Sequence, residues 1–318
     1  MPLRALPRRM YARLPAPIRE RAVLVRHSLA ARHPSDSNAD YWAWHNVTMH
    51  EEFTTREQSV DYLNWRNSQY LFYGDWLPYD KMRGKTVLDY GCGPGNDLVA
   101  VAEWGSPARL IGADVSTASL DEAGRRLKLH PEPVAELILL DENKAHVPLD
   151  EGSVDVVISS GVLHHCPNID DILAELRRVL APDGVMYVMV YNRESIFARL
   201  YVPYLRQIVL QIDAGEPFEE AFKRSTDGAA CPHSVAYRPA DFVALAERNG
   251  FTAKFQGAAI SVEEMGWLAD RFAAIADMRL AHEHREFLAR LAFDEYGRPI
   301  HDGQVAGIDG LYELRQRR

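Results

Sequence analysis

The chain has 318 residues, 47% of them hydrophobic and 25% charged, enough apolar material for one sizeable core with attached subdomains and a length that usually divides into about two domains. There is no repeat period, no low-complexity tract and no apolar run near the ~20 residues of a spanning helix, which excludes disordered, fibrous, solenoid and helical membrane-spanning classes. The net charge of −9 argues against a general nucleic-acid binder, but it is unevenly spread: residues 1–33 hold eight arginines, no lysine and one acid, Glu20, for +7, leaving −16 on the remainder. Four prolines, a single serine and no apolar segment before a small-residue cleavage site argue against a processed leader there. Three cysteines, Cys92, Cys166 and Cys231, fit a reducing compartment better than a disulfide framework, so the expected location is cytoplasmic.

In chain order, residues 41–79 hold four of the six tryptophans and five of the fourteen tyrosines and read as a helical layer. From about residue 84, short β-rich runs alternate with helical ones, the pattern of a parallel sheet built from βα units. Strands are expected at Thr86–Tyr90, Arg109–Ala113, Ala135–Leu140 and Val154–Ser159, with helices at Asn96–Trp104, N-capped by Asn96, and Ala118–Leu129. Ile169, Ile172, Leu173, Leu176, Val179 and Leu180 mark one face of a helix. A turn at Ala181–Gly184 leads to a buried strand, Val185–Tyr191. The alternation then breaks over Asn192–Pro239 and resumes with a helix at Pro239–Asn249, closed by Gly250, and a strand at Phe251–Ile260. A helical block at 262–293, a Gly/Asp-rich loop and a strand at Leu311–Leu314 complete the chain.

The stretch VLDYGCGPGN at 87–96 runs from an apolar strand through an acid into Gly91, Gly93 and Gly95 at the start of a helix. Glycines there let the backbone turn tightly and come within contact of a ligand. The spacing is G-x-G-x-G, with Asn96 where the dinucleotide fingerprint carries its third glycine, which disfavours a nicotinamide enzyme, and no Gly-Lys-Ser/Thr follows to make a P-loop.

On these residues the chain resembles the small-molecule branch of the class I S-adenosylmethionine-dependent methyltransferases (type 11/12-like), closely over about 84–191 and more loosely over 239–260. The resemblance implies a Rossmann-like α/β fold: a seven-stranded, mostly parallel sheet of order 3-2-1-4-5-7-6 with helices on both faces. Residues 1–79 would form a basic leader and aromatic-rich layer, and 80–318 the methyltransferase domain with helical cap insertions at about 192–238 and 263–307. It further implies that Asp89 orders the loop and meets the methionine amine, and that Gly91, Gly93, Gly95 and Asn96 pack on the cofactor. Asp114, followed by Val115, would bind the ribose hydroxyls, with a helix cap as its plain alternative. Asp141 or its neighbour Glu142 would face adenine, and Ser160 the amine. Independently of the resemblance, a sulfonium cation with a diol and no phosphate calls for carboxylates and close backbone, and Asp89, Asp114 and Asp141 all fall at the carboxyl ends of expected strands.

SSGVLHHCPN at 159–168 places His164 and His165 at the same edge, where a histidine could take a proton from a hydroxyl acceptor or simply shape the loop. Tyr191, Asn192 and Arg193 would line the acceptor side. Tyr41, Trp42, Trp44, Tyr62, Trp65 and Arg66 could close over the cofactor, although Tyr62 and Trp65 at helical spacing also suit plain packing. Cys92 and Cys166 lie near the sulfonium edge as arsenite methylation would need, but in unmatched contexts. Cys231-x-His233 and His282-x-His284 lack the paired spacing of a structural zinc site, so no metal is expected. The expected reaction is methyl transfer from S-adenosylmethionine, leaving S-adenosylhomocysteine, to a small-molecule hydroxyl on a sugar, glycan precursor or natural product. The alternatives are N- or C-methylation and a cofactor-binding module without catalysis. Expected partners are the acceptor, no nucleic acid, and, for residues 1–33, a membrane surface or acidic partner, or equally this protein's own acidic body.

Overall fold

The computed structural model describes residues 37–317 apart from 46, 47, 49, 50, 72, 132 and 134. The basic segment 1–33, and with it the expected membrane or acidic-partner contact, lies outside the described residues. Among those described, no helix is long and apolar enough to cross a membrane.

The strands are β1 (Tyr70–Leu71), β2 (Thr86–Tyr90), β3 (Arg109–Asp114), β4 (Glu136–Leu139), β5 (Val154–Ser160), β6 (Leu180–Tyr191), β7 (Phe251–Ser261), β8 (Ala292–Phe293), β9 (Pro299–His301), β10 (Gln304–Val305) and β11 (Asp309–Gln316). The helices are α1 (Asn38–Trp44), α2 (Arg56–Ser68), α3 (Asn96–Trp104), α4 (Thr117–Leu127), α5 (Ile169–Val179), α6 (Phe218–Thr226), α7 (Pro239–Arg248), α8 (Val262–Trp267), α9 (Arg271–Ala276) and α10 (His282–Ala289). The main sheet has eight strands in the order β1-β7-β11-β6-β5-β2-β3-β4. Removing β1 leaves the expected seven-strand order; β1 is the addition, pairing antiparallel to β7 at the far edge. The strands β2 to β6 are parallel, and β11 runs antiparallel to both β6 and β7.

Alternation along each strand divides the interior into two cores. Val87, Leu110, Val156 and Ile158 face α3 and α4 with Leu98, Val101, Leu120 and Leu127. Leu88, Ile111 and Val157 face the other way, where Ile172, Leu173 and Leu176 of α5 and Phe242 and Leu245 of α7 cover them. The expected helical face at 169–179 is therefore the face that packs. The expected turn at 181–184 is real as a bulge within β6: Val154 pairs with Leu180 but Val156 with Val185, so the intervening residues loop out.

Two local expectations change. Gly95, at φ 80°, caps α3 without a side chain, and Asn96 is already helical. Across Asn192–Pro239 the helical parts are a π-helix over Phe197–Val209 and then α6, with loop between and after them. Together with α8 to α10 these build a third apolar cluster around Phe197, Leu200, Phe222, Phe287 and Leu288. The second insertion is not wholly helical, because β8, β9 and β10 form a separate three-stranded antiparallel sheet.

The aromatic layer docks through polar contacts. Arg126 of α4, 3% exposed, donates to Ser59 Oγ of α2 at 2.6 Å, to Ser59 O at 3.1 Å and to Asn96 Oδ1 at 2.6 Å, with its guanidinium 4.4 Å from the Phe53 ring centre. Among the described residues no carboxylate hydrogen-bonds it, and burial pushes the guanidinium down to about 10.

Candidate active site

The carboxyl ends of β2, β3, β5 and β6 converge on one edge, where open α/β sheets bind ligands. The three glycines of the first loop all have left-handed backbone, but for different reasons. A Cβ on Gly91 would lie 2.3 Å from a Val162 methyl, and one on Gly95 3.2 Å from Ala123 Cβ, so these two permit close packing. A Cβ on Gly93 would meet nothing within 4 Å: the space above it is open. Asp114 ties this loop down, accepting from Gly93 N and Ser116 N at 2.8 Å each. It is 8% exposed, and burial raises its carboxyl above the usual range against the pull of those amides.

Asp89 is 2% exposed, and its Oδ2 has no hydrogen-bond partner. Burial, reinforced by Asp97, holds its carboxyl well above the ordinary range. A buried acceptor without a donor beside an open glycine cradle suits a ligand that brings an ammonium group, and S-adenosylmethionine carries one on its methionine arm. Asp89, Asp114 and the Gly93 cradle therefore fit that cofactor.

Beside them runs a chain that only the fold assembles. Arg66 of α2 pairs with Asp97 of α3 at 2.7 Å and donates to Tyr73 Oη at 3.2 Å; Tyr73 Oη shares a 2.6 Å hydrogen bond with Ser160 Oγ. Arg66 was expected only as part of a lid, and Asp97 and Tyr73 not at all; an acid in the first turn of the loop helix was the available signal for Asp97.

The other expected residues separate. Asn96 points away into the Arg126 contact, so its polar group belongs to the scaffold. Asp141 is exposed and paired with Lys144 at 2.8 Å, while Glu142 accepts from Ala39 N of α1 at 2.8 Å. Val115 is partly buried against the second core. Asn192, 1% exposed, spends its amide on Glu194 N, Glu194 O and Gly307 O, which removes it from acceptor contact. Arg193 pairs with Glu219 at 3.0 Å and lies over the Phe218 ring. Tyr191 is partly buried and donates to Asp227 Oδ1 at 3.0 Å.

The two histidines differ sharply. His164 is fully buried, neither ring nitrogen has a partner, and burial holds it well below the usual histidine range; its ring lies 3.9 Å from Tyr191. That placement suits packing and not proton exchange with an acceptor. His165 is engaged: Nδ1 donates to His233 O at 2.9 Å and Nε2 stands 3.7 Å from Asp227 Oδ1. Helix α1 lies across this edge from Glu142 to His165. Trp42 tilts on the His165 ring at 4.6 Å, and Tyr41 Oη donates to Asp227 O. Tyr41 and Trp42 thus cover the edge as a lid would, whereas Tyr62 and Trp65 pack on each other at 5.7 Å and Trp44 is 61% exposed. Cys92 is buried in the α3 core and Cys166 donates to Val162 O, which separates them from a shared arsenic site.

Sequence reasoning also missed Asp309, the first residue of β11, paired in register with Tyr191 at the end of β6. It is 2% exposed, and burial pushes its carboxyl up to about 7, with Arg66 pulling the other way.

The family model described as a methyltransferase domain matches residues 88–188, the stretch from the glycine loop to β6. Residues 88–188 are a methyltransferase domain. The sheet order and the site built on residues 88–188 are those of a class I S-adenosylmethionine-dependent methyltransferase domain. Over 107 residues, 33% of this chain and 30% of the relative, the chain is 40% identical to an uncharacterized 37.1 kDa protein in transposon TN4556 of Streptomyces fradiae. It is 30% identical over 154 residues to the protein named "Probable methyltransferase ltbC" of Aspergillus luteorubrus, covering 43% of this chain and 52% of that one. To the malonyl-[acyl-carrier protein] O-methyltransferase of Xylella fastidiosa it is 27% identical over 184 residues, 58% of this chain and 51% of that one. The chain thus spans about a third to a half of the length of these curated relatives. In a solved complex of the Haloferax volcanii Trm112 methyltransferase activator with a methyltransferase, one chain superposes with a TM-score of 0.53 at 15% identity, over 89% of this chain and 100% of that one, a likeness of fold.

Proposed function

We propose that the protein transfers the methyl group of S-adenosylmethionine to an oxygen of a small molecule, with a hydroxyl of a sugar, glycan precursor or natural product as the expected acceptor. The observation that carries the reading is the unpartnered, buried Asp89 Oδ2 beside the open Gly93 cradle, with Asp114 at the next strand end. In the bound state the cofactor supplies an activated methyl on a sulfonium. Asp89 takes the ammonium end, Asp114 the ribose diol, and Glu142, tied to α1, stands on the adenine side in preference to the exposed Asp141.

Methyl transfer depends mainly on alignment and exclusion of water, and α1 with Tyr41 and Trp42 supplies the cover. A hydroxyl acceptor must also lose a proton. Asp309, buried at the acceptor edge and pushed up to about 7, suits that role better than His164, which burial holds neutral without an outlet. An oxygen acceptor also agrees with the relative named as an O-methyltransferase. The three cysteines are all unpaired, which agrees with a reducing cytoplasmic location. We assign 1–79 to the leader and aromatic layer and 192–238 and 263–307 to acceptor recognition.

Calorimetry with S-adenosylmethionine and with NAD tests the cofactor: binding of the former alone is expected, and binding of NAD alone refutes the reading. Incubation with methyl-labelled cofactor and fractionated metabolites tests transfer. A labelled product that carries its methyl as a methyl ether identifies oxygen, and cofactor binding with no labelled product in any fraction favours the non-catalytic module.

A further inference from the structure

Under α1, at the edge just described, three side chains from distant parts of the chain meet. One ligating atom from each of His165, Asp227 and Cys231 lies within 4.8 Å of the other two. His165 Nε2 is 3.7 Å from Asp227 Oδ1, and Cys231 Sγ is 3.9 Å from the same ring at Nδ1. All three side chains are secluded: His165 is 4% and Cys231 3% exposed, and the Asp227 side chain 7%.

The surroundings orient these atoms. Nδ1–H of His165 donates to His233 O, which leaves the lone pair on Nε2, directed at the carboxylate. Asp227 is held from behind by three hydroxyls: Tyr191 on Oδ1 at 3.0 Å, and Thr226 at 2.7 Å and Ser234 at 3.0 Å on Oδ2. An imidazole whose far nitrogen is fixed by a carbonyl and a carboxylate fixed by hydroxyls are the outer contacts that metal ligands carry. A neutral imidazole, a carboxylate and a thiolate together balance a divalent charge, which a buried site requires.

We propose that His165 Nε2, the Asp227 carboxylate and Cys231 Sγ bind a zinc-type divalent cation. The mixed nitrogen, sulfur and oxygen donors select a borderline-soft ion over magnesium or calcium. Three protein ligands leave a fourth position for water or for the oxygen or sulfur of an acceptor. On binding, the S–H bond of Cys231 breaks, its proton goes to solvent and a metal–sulfur bond forms. The paired-spacing rule misses this site because its ligands sit 62 and 4 residues apart along the chain. The ion site stands independently of the methyl-transfer reading; only the occupant of the fourth position rests on it.

The test uses the full chain, stripped with a chelator and titrated with zinc or cobalt. One equivalent retained per chain, about one proton released per zinc, and a near-ultraviolet cobalt–thiolate charge-transfer band are expected. Cys231→Ser removes the band and Cys166→Ser keeps it; His165→Gln weakens zinc binding at least tenfold. Failure to retain zinc, or a cobalt complex without the thiolate band in the wild-type chain, overturns the site, as does a band unchanged in Cys231→Ser. If Cys231→Ser fails to fold, proton release by the wild type decides: none on adding zinc means a hydrogen-bonded cluster only. A retained ion in a chain that transfers no methyl refutes the proposed function and leaves the site standing.

Discussion

Asp309→Asn separates a stability effect from a catalytic one. The carboxyl titrates near 3.8 when exposed and is pushed up to about 7 in the fold by burial. Below pH ~4 both folded and unfolded chains hold the proton and no penalty exists. Between ~4 and ~7 the unfolded chain ionises while the folded one does not, so stability falls as pH rises; above ~7 the penalty is constant. A shift of this size corresponds to at most about 4 kcal/mol at 1.36 kcal/mol per pH unit. Asparagine cannot ionise, so the variant gains on the wild type by up to that amount between pH 4 and 8. Glu264, buried nearby and pushed up to about 8, slopes the same way in both chains and largely cancels in the difference. Urea unfolding at half-unit pH steps measures this. Parallel stability profiles for the two chains would refute the buried-carboxyl argument. If Asp309 also takes the acceptor's proton, kcat of the wild type rises with pH through about 7, and the variant loses that limb together with at least about a hundredfold in kcat. A variant that shows the stability gain but keeps its rate retains the linkage argument and removes Asp309 as the base.

Three further predictions follow from the site and its supports. Asp114→Ala should weaken S-adenosylhomocysteine binding by roughly ten- to a hundredfold through lost charge-assisted bonds; a 2′-deoxyribose analogue should bind the wild type more weakly but discriminate little in the variant, and additive losses would mean that Asp114 does not touch the ribose. Gly91→Ala puts a methyl 2.3 Å from Val162 at a φ of 76°, so cofactor affinity and melting temperature should fall together, by about 2–4 kcal/mol in stability; an unchanged melting curve would show that the loop has other room. Arg126→Leu strips Ser59 and Asn96 of their buried donor and should cost roughly 2–4 kcal/mol in urea unfolding, whereas a loss below about 1 kcal/mol would mean that the aromatic layer docks without it.

The sequence by itself determined the parallel sheet, the face of α5 and the glycine loop with its strand-end acids, while the strand order came through the family resemblance that those residues carry. Those features are encoded locally: alternation with period two or 3.6, glycines where left-handed backbone is needed, and acids placed where a strand ends. Asp89, Asp114 and the glycine loop were legible because one short segment carries both the turn and its chemistry. Only the tertiary structure decided what stands opposite them. The Asp97–Arg66–Tyr73–Ser160 chain joins four elements, and Asp309 reaches the edge only because β11 returns antiparallel beside β6. His164 and His165 are adjacent in sequence, yet one is buried with no hydrogen-bond partner on its ring while the other meets Asp227 and Cys231. Convergence of side chains from separate loops leaves no periodic trace along the chain, because packing of the cap against the sheet brings them together. The −16 body is likewise sharpened: what matters is not its sum but which few acids, Asp89, Asp114, Asp227 and Asp309, are buried at one edge.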